Sequence, residues 1–121
     1  MGIIIKSDRE IALMRQAGRI VAIVLEILSK QVKEGMKTRE LDIIAARELE
    51  RLGAKSSFKG YHGYPATICV SVNEEIVHGI PGERVLREGD IVSLDVGAIY
   101  DGFLGDAAVT LGVGEVSSVA K

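Results

Sequence analysis

The stretch IVSLDVGAIYDGFLGDAAVTLG, residues 91–112, decides the fold of this chain. Two runs rich in strand-forming residues, 91–98 and 103–112, flank Tyr100-Asp101-Gly102. An Asp-Gly pair between such runs is a strong signal for a tight hairpin. The even positions of the first run are all apolar: Val92, Leu94, Val96 and Ala98. Because side chains alternate along a strand, this stripe predicts one buried face that packs against another layer.

Two aspartates lie on opposite arms of the predicted hairpin. If the turn is centred between Tyr100 and Asp101, Asp95 lies directly opposite Asp106. If Asp101-Gly102 forms the loop instead, Asp95 faces Ala108 and Asp106 becomes its diagonal neighbour. Both registers place the two carboxylates on one face, with Cβ atoms within about 8 Å.

Paired carboxylates on a sheet need an explanation, because like charges across strands are destabilising. A divalent cation would compensate them, since hard cations take carboxylate oxygens and two-metal sites hold their ions roughly 3.5–4 Å apart. The alternative is a pair of exposed aspartates on a solvated face. The neighbours on that face favour the metal, because they include no Lys, Arg or Glu: they are Ser93, Gly97, Leu104 and Ala108. The residues alone leave both alternatives open.

Upstream of the hairpin, the sequence predicts two helices, over 8–33 and 38–52. Ser7-Asp8-Arg9-Glu10 forms a capping box for the first helix, and Thr38 is the expected cap of the second. Gly35 is the expected stop of the first, and Gly53 closes the second. Apolar residues at helical spacing form the buried stripes, namely Met14, Ala17, Val21, Leu25 and Leu28, then Leu41, Ile44, Ala45, Leu49 and Leu52. Met14 and Met36 are both expected in the core.

Between the helices and the hairpin, the sequence predicts short strands and turns. Residues 67–72 are rich in strand formers, and Asn73-Glu74 is the expected turn, with a short return strand over 75–78. Pro81-Gly82 and Gly89-Asp90 mark further turns.

Length and composition indicate an ordinary globular domain. The chain has 121 residues, taken as one domain over 1–121, with 47% hydrophobic and 26% charged residues and a net charge of −2. This composition excludes intrinsic disorder and gives no basic excess for nucleic-acid binding. No apolar run reaches the roughly 20 residues that span a bilayer, and no secretory signal is recognisable. A single cysteine, Cys69, is compatible with a reducing compartment.

The remaining candidates for chemistry are His62, His78 and Cys69. His62 lies in the loop GYHGYP and His78 at the end of a predicted strand. A lone histidine can bind metal, move protons or bond the backbone, and the last is the commonest role. Cys69 lies in an apolar strand, where cysteine is usually a small core residue. No HExxH, paired CxxC, GxSxG or phosphate-binding motif occurs, so a serine or cysteine triad has no support.

Three segments together resemble the type I methionine aminopeptidases. They are GYHGYP at 60–65, ICVSVNEEIVHGIPG at 68–82 and EGDIVSLDVGAIYDGFLGDAAVT at 88–110. The combination is specific, and the resemblance extends over nearly the whole chain. A creatinase-like or prolidase-like relative is disfavoured, because GYHGYP and VHGIPG match the methionine-specific branch more closely.

The resemblance implies an α+β fold with two N-terminal helices packed on an antiparallel sheet, half of a pita-bread (creatinase/aminopeptidase) fold. It implies a cytoplasmic enzyme that removes the initiator methionine from nascent proteins. Its cofactors would be divalent metal ions, normally two, of Co, Mn, Fe or Zn. The ribosome and a second copy of the chain are candidate partners.

Site residues follow from the same resemblance, position by position. Asp95 and Asp106 match metal ligands, the second bridging the two ions. His78 matches a catalytic histidine that contacts the substrate's amide and does not bind metal. The positions that match the pocket for the methionine side chain are Tyr61, His62, Tyr64 and Cys69. Phe58 stands where some members have cysteine.

The chain departs from the family in length. Family members are about twice as long, and the second half supplies a ligand histidine and two ligand glutamates. Two carboxylates offer too few oxygens for two ions that each take roughly four to six ligands. The sequence therefore predicts the N-terminal half of a metal-dependent aminopeptidase, with a non-catalytic binding or scaffold half-domain as the alternative.

Overall fold

A computed structural model of the chain describes residues 7–73 and 79–114. Within these ranges the elements are two helices, α1 (Asp8–Gln31) and α2 (Thr38–Arg51), and four strands, β1 (Lys55–Ser56), β2 (Cys69–Val72), β3 (Ile91–Tyr100) and β4 (Phe103–Gly112). A single 3-10 turn, Tyr61–Gly63, lies between β1 and β2. The predicted arrangement of two helices packed on an antiparallel sheet is confirmed. Within the described ranges, neither helix has the length and apolarity that crossing a membrane requires.

Helix α1 begins as the sequence predicts. The Glu10 N–H donates to Ser7 Oγ at 3.1 Å, and the Ser7 N–H donates to Glu10 Oε1 at 2.9 Å, completing the capping box. The helix ends at Gln31, two residues before the predicted boundary. Its first buried residue is Ala17. The expectation that Met14 lies in the core is wrong, because Met14 is in the turns before the helix meets the sheet and is 39% exposed. Met36 is buried as predicted.

Helix α2 begins differently from the prediction. Thr38 is not its cap: the N-cap is Lys37, whose N–H donates to Glu40 Oε2 at 2.7 Å. Thr38 is buried instead, and its Oγ1 accepts a hydrogen bond from the Gly82 N–H at 2.8 Å. This contact ties the start of α2 to the segment after residue 79. The helix ends at Arg51, and Gly53 follows with φ +79°, the left-handed conformation expected at a glycine stop.

Strand β3 is the centre of the sheet. It pairs with β4 along its whole length and, on its other edge, with β2 at residues 92–95 and with β1 at residues 98–99. Strand β4 is therefore an edge strand of the described part of the sheet. Every one of these pairings is antiparallel.

The hairpin takes the second of the two predicted registers. Asp101 and Gly102 have φ values of +50° and +86°, as a two-residue type I′ loop requires, and Tyr100 pairs with Phe103. Both strands reach this loop, so β3 is two residues longer than predicted.

The core lies between the helices and one face of the sheet. The side chains of Val92, Leu94, Val96 and Ala98 of β3 are fully buried there, together with side chains from both helices. A Cβ added at Gly105 would lie 2.6 Å from the Ala17 backbone, so the glycine lets α1 approach β4 closely.

The region between β1 and β3 follows the prediction in part. Strand β2 begins at Cys69 rather than at residue 67, because the amides of Thr67 and Ile68 bind Asp42 instead of a strand. Asn73 has φ +59°, which fits the start of the predicted turn. The expected strand over 75–78 lies outside the described residues.

Candidate functional site

The two aspartates lie on the face of the sheet opposite the helices. Asp95 pairs with Ala108, and Asp106 pairs with Gly97, so the carboxylates are diagonal neighbours on one face. On the same face, Ser93 and Thr110 pair directly, with 3.0 Å between their hydroxyl oxygens. Asp95 is half-buried and Asp106 is exposed. The prediction that the hairpin places both aspartates on one face of the sheet is confirmed.

A loop lies over this face because β3 carries a glycine there. The Ser57 N–H donates to the Gly97 carbonyl at 3.0 Å, and a Cβ on Gly97 would collide with Ser57 Oγ. The same Cβ would also lie 3.3 Å from Phe58 Cε1. Gly97 therefore brings the loop after β1 down beside Asp106, its partner on β4.

The loop and the sheet enclose an open cavity of about 740 Å³. Its walls come from the loop over 57–65, from β2 and from β4, with Ile80 at one side. The described lining residues are largely aromatic and aliphatic, and Asp106 provides the one carboxylate among them. A mostly apolar cleft with a few polar groups is the usual form of a small-molecule site.

Tyr64 forms the most firmly held wall of this cavity. Its hydroxyl lies 3.0 Å from the Ile68 carbonyl oxygen and 3.2 Å from that of Gly79, both acceptors for its one proton. The Phe58 and Tyr64 rings meet edge to face, with centroids 6.3 Å apart. Burial raises the pKa of Tyr64 well above its usual range, and a hydrogen bond with Cys69 adds to the effect. Tyr64 is therefore a neutral hydrogen-bond donor at ordinary pH.

Cys69 is buried in β2 directly opposite Asp95. Burial raises the pKa of its thiol, the hydrogen bond with Tyr64 lowers it in part, and the charges of Asp95 and Asp106 raise it further. A thiol held neutral is a poor nucleophile. Cys69 is thus a small apolar wall residue, in keeping with the interpretation of its strand position.

Tyr61 and His62 lie at the mouth of the cavity. Tyr61 is 68% exposed, and its ring meets that of His62 edge to face with centroids 4.2 Å apart. His62 has φ +49°, a left-handed conformation that is uncommon outside glycine and often found at functional sites.

The predicted site residues divide into three groups. Five of them line the one cavity: Tyr61, His62, Tyr64, Cys69 and Asp106. Asp95 is not among the lining residues, but it pairs in the sheet with Cys69, which is one of them. His78 lies outside the described residues. Leu104 and Ile80 also line the cavity, and nothing in the sequence distinguishes them from core residues.

The two aspartates are suitable ligands for a divalent cation, but two ligands are too few to hold one. Carboxylate oxygens suit hard cations. Across residues 7–73 and 79–114, however, no group of three His, Cys, Asp or Glu side chains is placed to hold a metal ion. The described residues therefore supply part of a metal site, which further ligands would have to complete.

Comparison with known proteins identifies the class of protein to which this fold and cavity belong, a family of metallopeptidases. The model of metallopeptidase family M24 matches residues 12–121. The chain belongs to this metallopeptidase family.

Within the family, the chain is similar in sequence to methionine aminopeptidases. It is 56% identical to methionine aminopeptidase 1 of Bacillus subtilis over 119 residues, which are 98% of this chain and 48% of that protein. The methionine aminopeptidase of Clostridium acetobutylicum is 54% identical, with the same coverage. The chain thus spans about half the length of the curated relatives it matches.

Solved structures of methionine aminopeptidases have the same fold as this chain. The methionine aminopeptidase of Thermotoga maritima superposes with a TM-score of 0.87 at 47% identity, covering 93% of this chain and 45% of that one. For the enzyme of Rickettsia prowazekii the TM-score is 0.90 at 33% identity, with coverages of 98% and 48%. A prolidase from Pyrococcus furiosus shares the fold alone, with a TM-score of 0.76 at 22% identity, 92% of this chain and 32% of that one being covered. The predicted half of a pita-bread fold is confirmed.

Proposed function

We propose that the chain is the N-terminal half of a metal-dependent methionine aminopeptidase, which removes the initiator methionine from nascent polypeptides. One observation carries the proposal. The residues that match the family's methionine pocket line a single cavity, and that cavity reaches Asp106, which matches a metal ligand. The high identity to methionine aminopeptidases supports the same substrate.

The cavity suits the side chain of methionine. Its volume of about 740 Å³ is ample for one side chain and the adjoining backbone. Phe58, Tyr64 and Cys69 offer aromatic and sulfur surfaces, which attract a thioether. The hydroxyl of Tyr64 is engaged by carbonyl groups, so the polar atom is satisfied and the ring presents apolar surface.

In the complete site, Asp95 and Asp106 would hold divalent metal, normally two ions of Co, Mn, Fe or Zn. Such ions polarise a scissile carbonyl and lower the pKa of water. Asp106 is the carboxylate at the cavity wall, so it would orient the substrate's amino end towards the metal side. His78 would donate a hydrogen bond to the substrate's amide and assist the leaving amine. The cavity would hold the methionine side chain during cleavage.

The partners follow from this substrate. The N-terminal methionine of nascent chains places the protein in the cytoplasm, with the ribosome as a candidate partner. Self-association of two copies is a further candidate, since symmetric dimers are the commonest assembly.

A second candidate function is a non-catalytic half-domain that acts as a binding or scaffold module. The observation that favours it is that the described residues bring no third His, Cys, Asp or Glu to the two aspartates, so they do not form a complete metal site. A scaffold would not require these aspartates to take up a cation, so metal binding distinguishes the two functions.

Manganese binding distinguishes the aminopeptidase half from the non-catalytic module. Paramagnetic Mn²⁺ broadens the amide resonances of residues near it, and we expect broadening confined to the face around Asp95, Asp106 and Cys69. Asp95→Asn should remove it. Asp101→Asn is the matched control, because Asp101 is an exposed carboxylate of the same hairpin that pairs with Arg9 instead. Broadening that is equal in all three proteins would favour the scaffold.

Activity of the 121-residue chain is the second test. With a Met-Ala-Ser peptide and added Mn²⁺ or Co²⁺, we expect very slow release of methionine or none. A loosely held metal positions the reacting groups poorly, and misplacement by about 1 Å can cost about 100-fold in rate. Robust turnover that Asp95→Asn abolishes would show that the half site is sufficient.

A further inference from the structure

Asp42 accepts hydrogen bonds from the backbone beside the cavity, but it does not line the cavity itself. It lies on α2, and its Oδ1 accepts hydrogen bonds from the N–H groups of Thr67 at 2.8 Å and Ile68 at 2.9 Å. Both donors are buried, and they precede β2, so they lie outside the ladder of the sheet. A buried N–H without an acceptor is costly, and a carboxylate acceptor makes the bond stronger.

The two residues whose N–H groups bind Asp42 also anchor the cavity wall through their carbonyl groups. The carbonyl of Ile68 accepts the hydroxyl of Tyr64 at 3.0 Å, and the carbonyl of Thr67 accepts Ser56 Oγ at 2.6 Å. Cys69, the next residue, lines the cavity. A shift of this backbone would therefore move Tyr64 and Cys69 together.

Ser56 extends the same set of hydrogen bonds to the loop. Its Oγ accepts the N–H groups of Phe58 at 3.1 Å and Lys59 at 3.2 Å, at the start of the segment that forms the mouth. A continuous path of hydrogen bonds thus joins α2 to both sides of the cavity. The charge of Asp42 also contributes to raising the pKa values of Tyr64 and Cys69, in agreement with its position.

We propose that Asp42 is a positioning residue for the cavity, which holds Tyr64 and Cys69 through the backbone of Thr67 and Ile68 and so determines the affinity for an unbranched apolar side chain. This inference rests on the proposed function, since it takes the cavity to be the methionine pocket. Asp42 acts only through other residues and touches no substrate.

Binding of L-methioninol to the full chain, followed by NMR titration, tests the inference. Asp42→Ala should raise the Kd about tenfold, or about 1.4 kcal/mol, because the backbone that holds Tyr64 and Cys69 loses both of its hydrogen bonds to Asp42. Asp42→Asn keeps an oxygen acceptor at the same place, and its Kd should stay within about threefold of the wild-type value. L-Valinol, which is branched, should bind more weakly than L-methioninol and should lose less affinity in Asp42→Ala.

Asp90→Ala is the control for a merely structural effect. Asp90 also accepts hydrogen bonds, from the Arg87 N–H at 2.9 Å and from Asn73 Nδ2 at 3.0 Å, but it lies away from the cavity. This variant should lose stability and keep the wild-type Kd. An unchanged Kd in folded Asp42→Ala, or an equal rise in Asp90→Ala, would overturn the proposal.

A second readout keeps the two proposals separate. In Asp42→Ala, and in Asp42→Ser should the first variant not fold, the amide resonances of Tyr64 and Cys69 should shift and those of Thr67 and Ile68 should exchange hydrogen faster. If wild-type chain does not bind L-methioninol, the proposed function fails, and this readout alone decides the role of Asp42. Resonances of Tyr64 and Cys69 that stay in place would refute that role.

Discussion

At the residue scale, two glycines of the hairpin decide what packs on each side of it. Gly97 faces the loop and Gly105 faces α1, and at both positions a Cβ would overlap neighbouring atoms. The sequence contains 14 glycines, but it does not show which of them are required, because close approach depends on elements that are distant in sequence. Asp42 is a similar case: its partners are 25 and 26 residues away. Asp95 and Asp106 could be found, because strand parity alone places them on one face.

Gly105→Ala should destabilise the chain. The new methyl group would lie 2.6 Å from the Ala17 backbone, so α1 must move away from β4. Overpacking of this kind costs about 1–3 kcal/mol in the free energy of unfolding, measured by urea denaturation.

Gly18→Ala is the control for that change. Gly18 lies in α1, and an added Cβ there has nothing within 4 Å. Alanine should therefore stabilise the helix by about 0.5–1 kcal/mol. Changes of the same sign in both variants would contradict the close approach at Gly105.

Tyr64→Phe should change how stability depends on alkaline pH. Because the pKa of Tyr64 is raised in the folded protein, its contribution is complete below the unfolded pKa of about 10 and is lost as pH rises further. The variant should be less stable by about 1 kcal/mol at pH 8, where the hydrogen bonds are lost, and should decline less steeply above pH 10.

Tyr61→Phe provides the comparison for the same denaturation series, because Tyr61 is mostly exposed. Its stability should match that of the wild type at every pH. Parallel curves for wild type and Tyr64→Phe above pH 10 would contradict the role given to Tyr64.

At the scale of elements, the sequence predicts the architecture well where a pattern is local. The capping box at Ser7, the glycine after α2 and the Asp-Gly loop each depend on a few neighbouring residues, and each is found. The errors occur where a distant partner decides. Thr38 binds Gly82 instead of capping its helix, and β2 starts late because Asp42 takes two of the amides.

The helices and the sheet should depend on each other for stability. The buried face of β3 packs on α1 and α2, so residues 53–121 alone would expose a large apolar surface. At about 25 cal/mol per Å² of apolar area, the loss amounts to several kcal/mol. We expect the isolated segment 53–121 to give a collapsed amide spectrum. Dispersed, native-like resonances would contradict this dependence.

At the scale of the whole molecule, the cavity and the two aspartates lie on one open face of the sheet. The chain spans about half the length of its relatives, and it presents a sheet face with two carboxylates and an open cavity. Leu104, which lines the cavity, is 61% exposed, so this face of the sheet carries a large apolar side chain that the described residues leave uncovered. Sequence parity predicts this face, but not the loop that lies over it, since that loop depends on Gly97.

Metal should therefore stabilise the chain only slightly. A ligand present at its Kd adds about 0.4 kcal/mol, which is about 2 °C in the thermal midpoint of a small domain. We expect millimolar Mn²⁺ to raise the midpoint by about that amount, and removal with EDTA to reverse it. Asp106→Asn should abolish the shift. A rise of more than about 8 °C would indicate a complete site.

The edge position of β4 has a consequence for how the protein behaves in concentrated solution. Its outer edge presents a row of backbone donors and acceptors that no other described strand covers, and such an edge is a template for further strands. Among the ten residues of β4, Asp106 is the only charged one, so it alone opposes the pairing of further strands with this edge. A bound cation that neutralises this carboxylate removes the protection, so the conditions that load the metal site also favour aggregation of the chain.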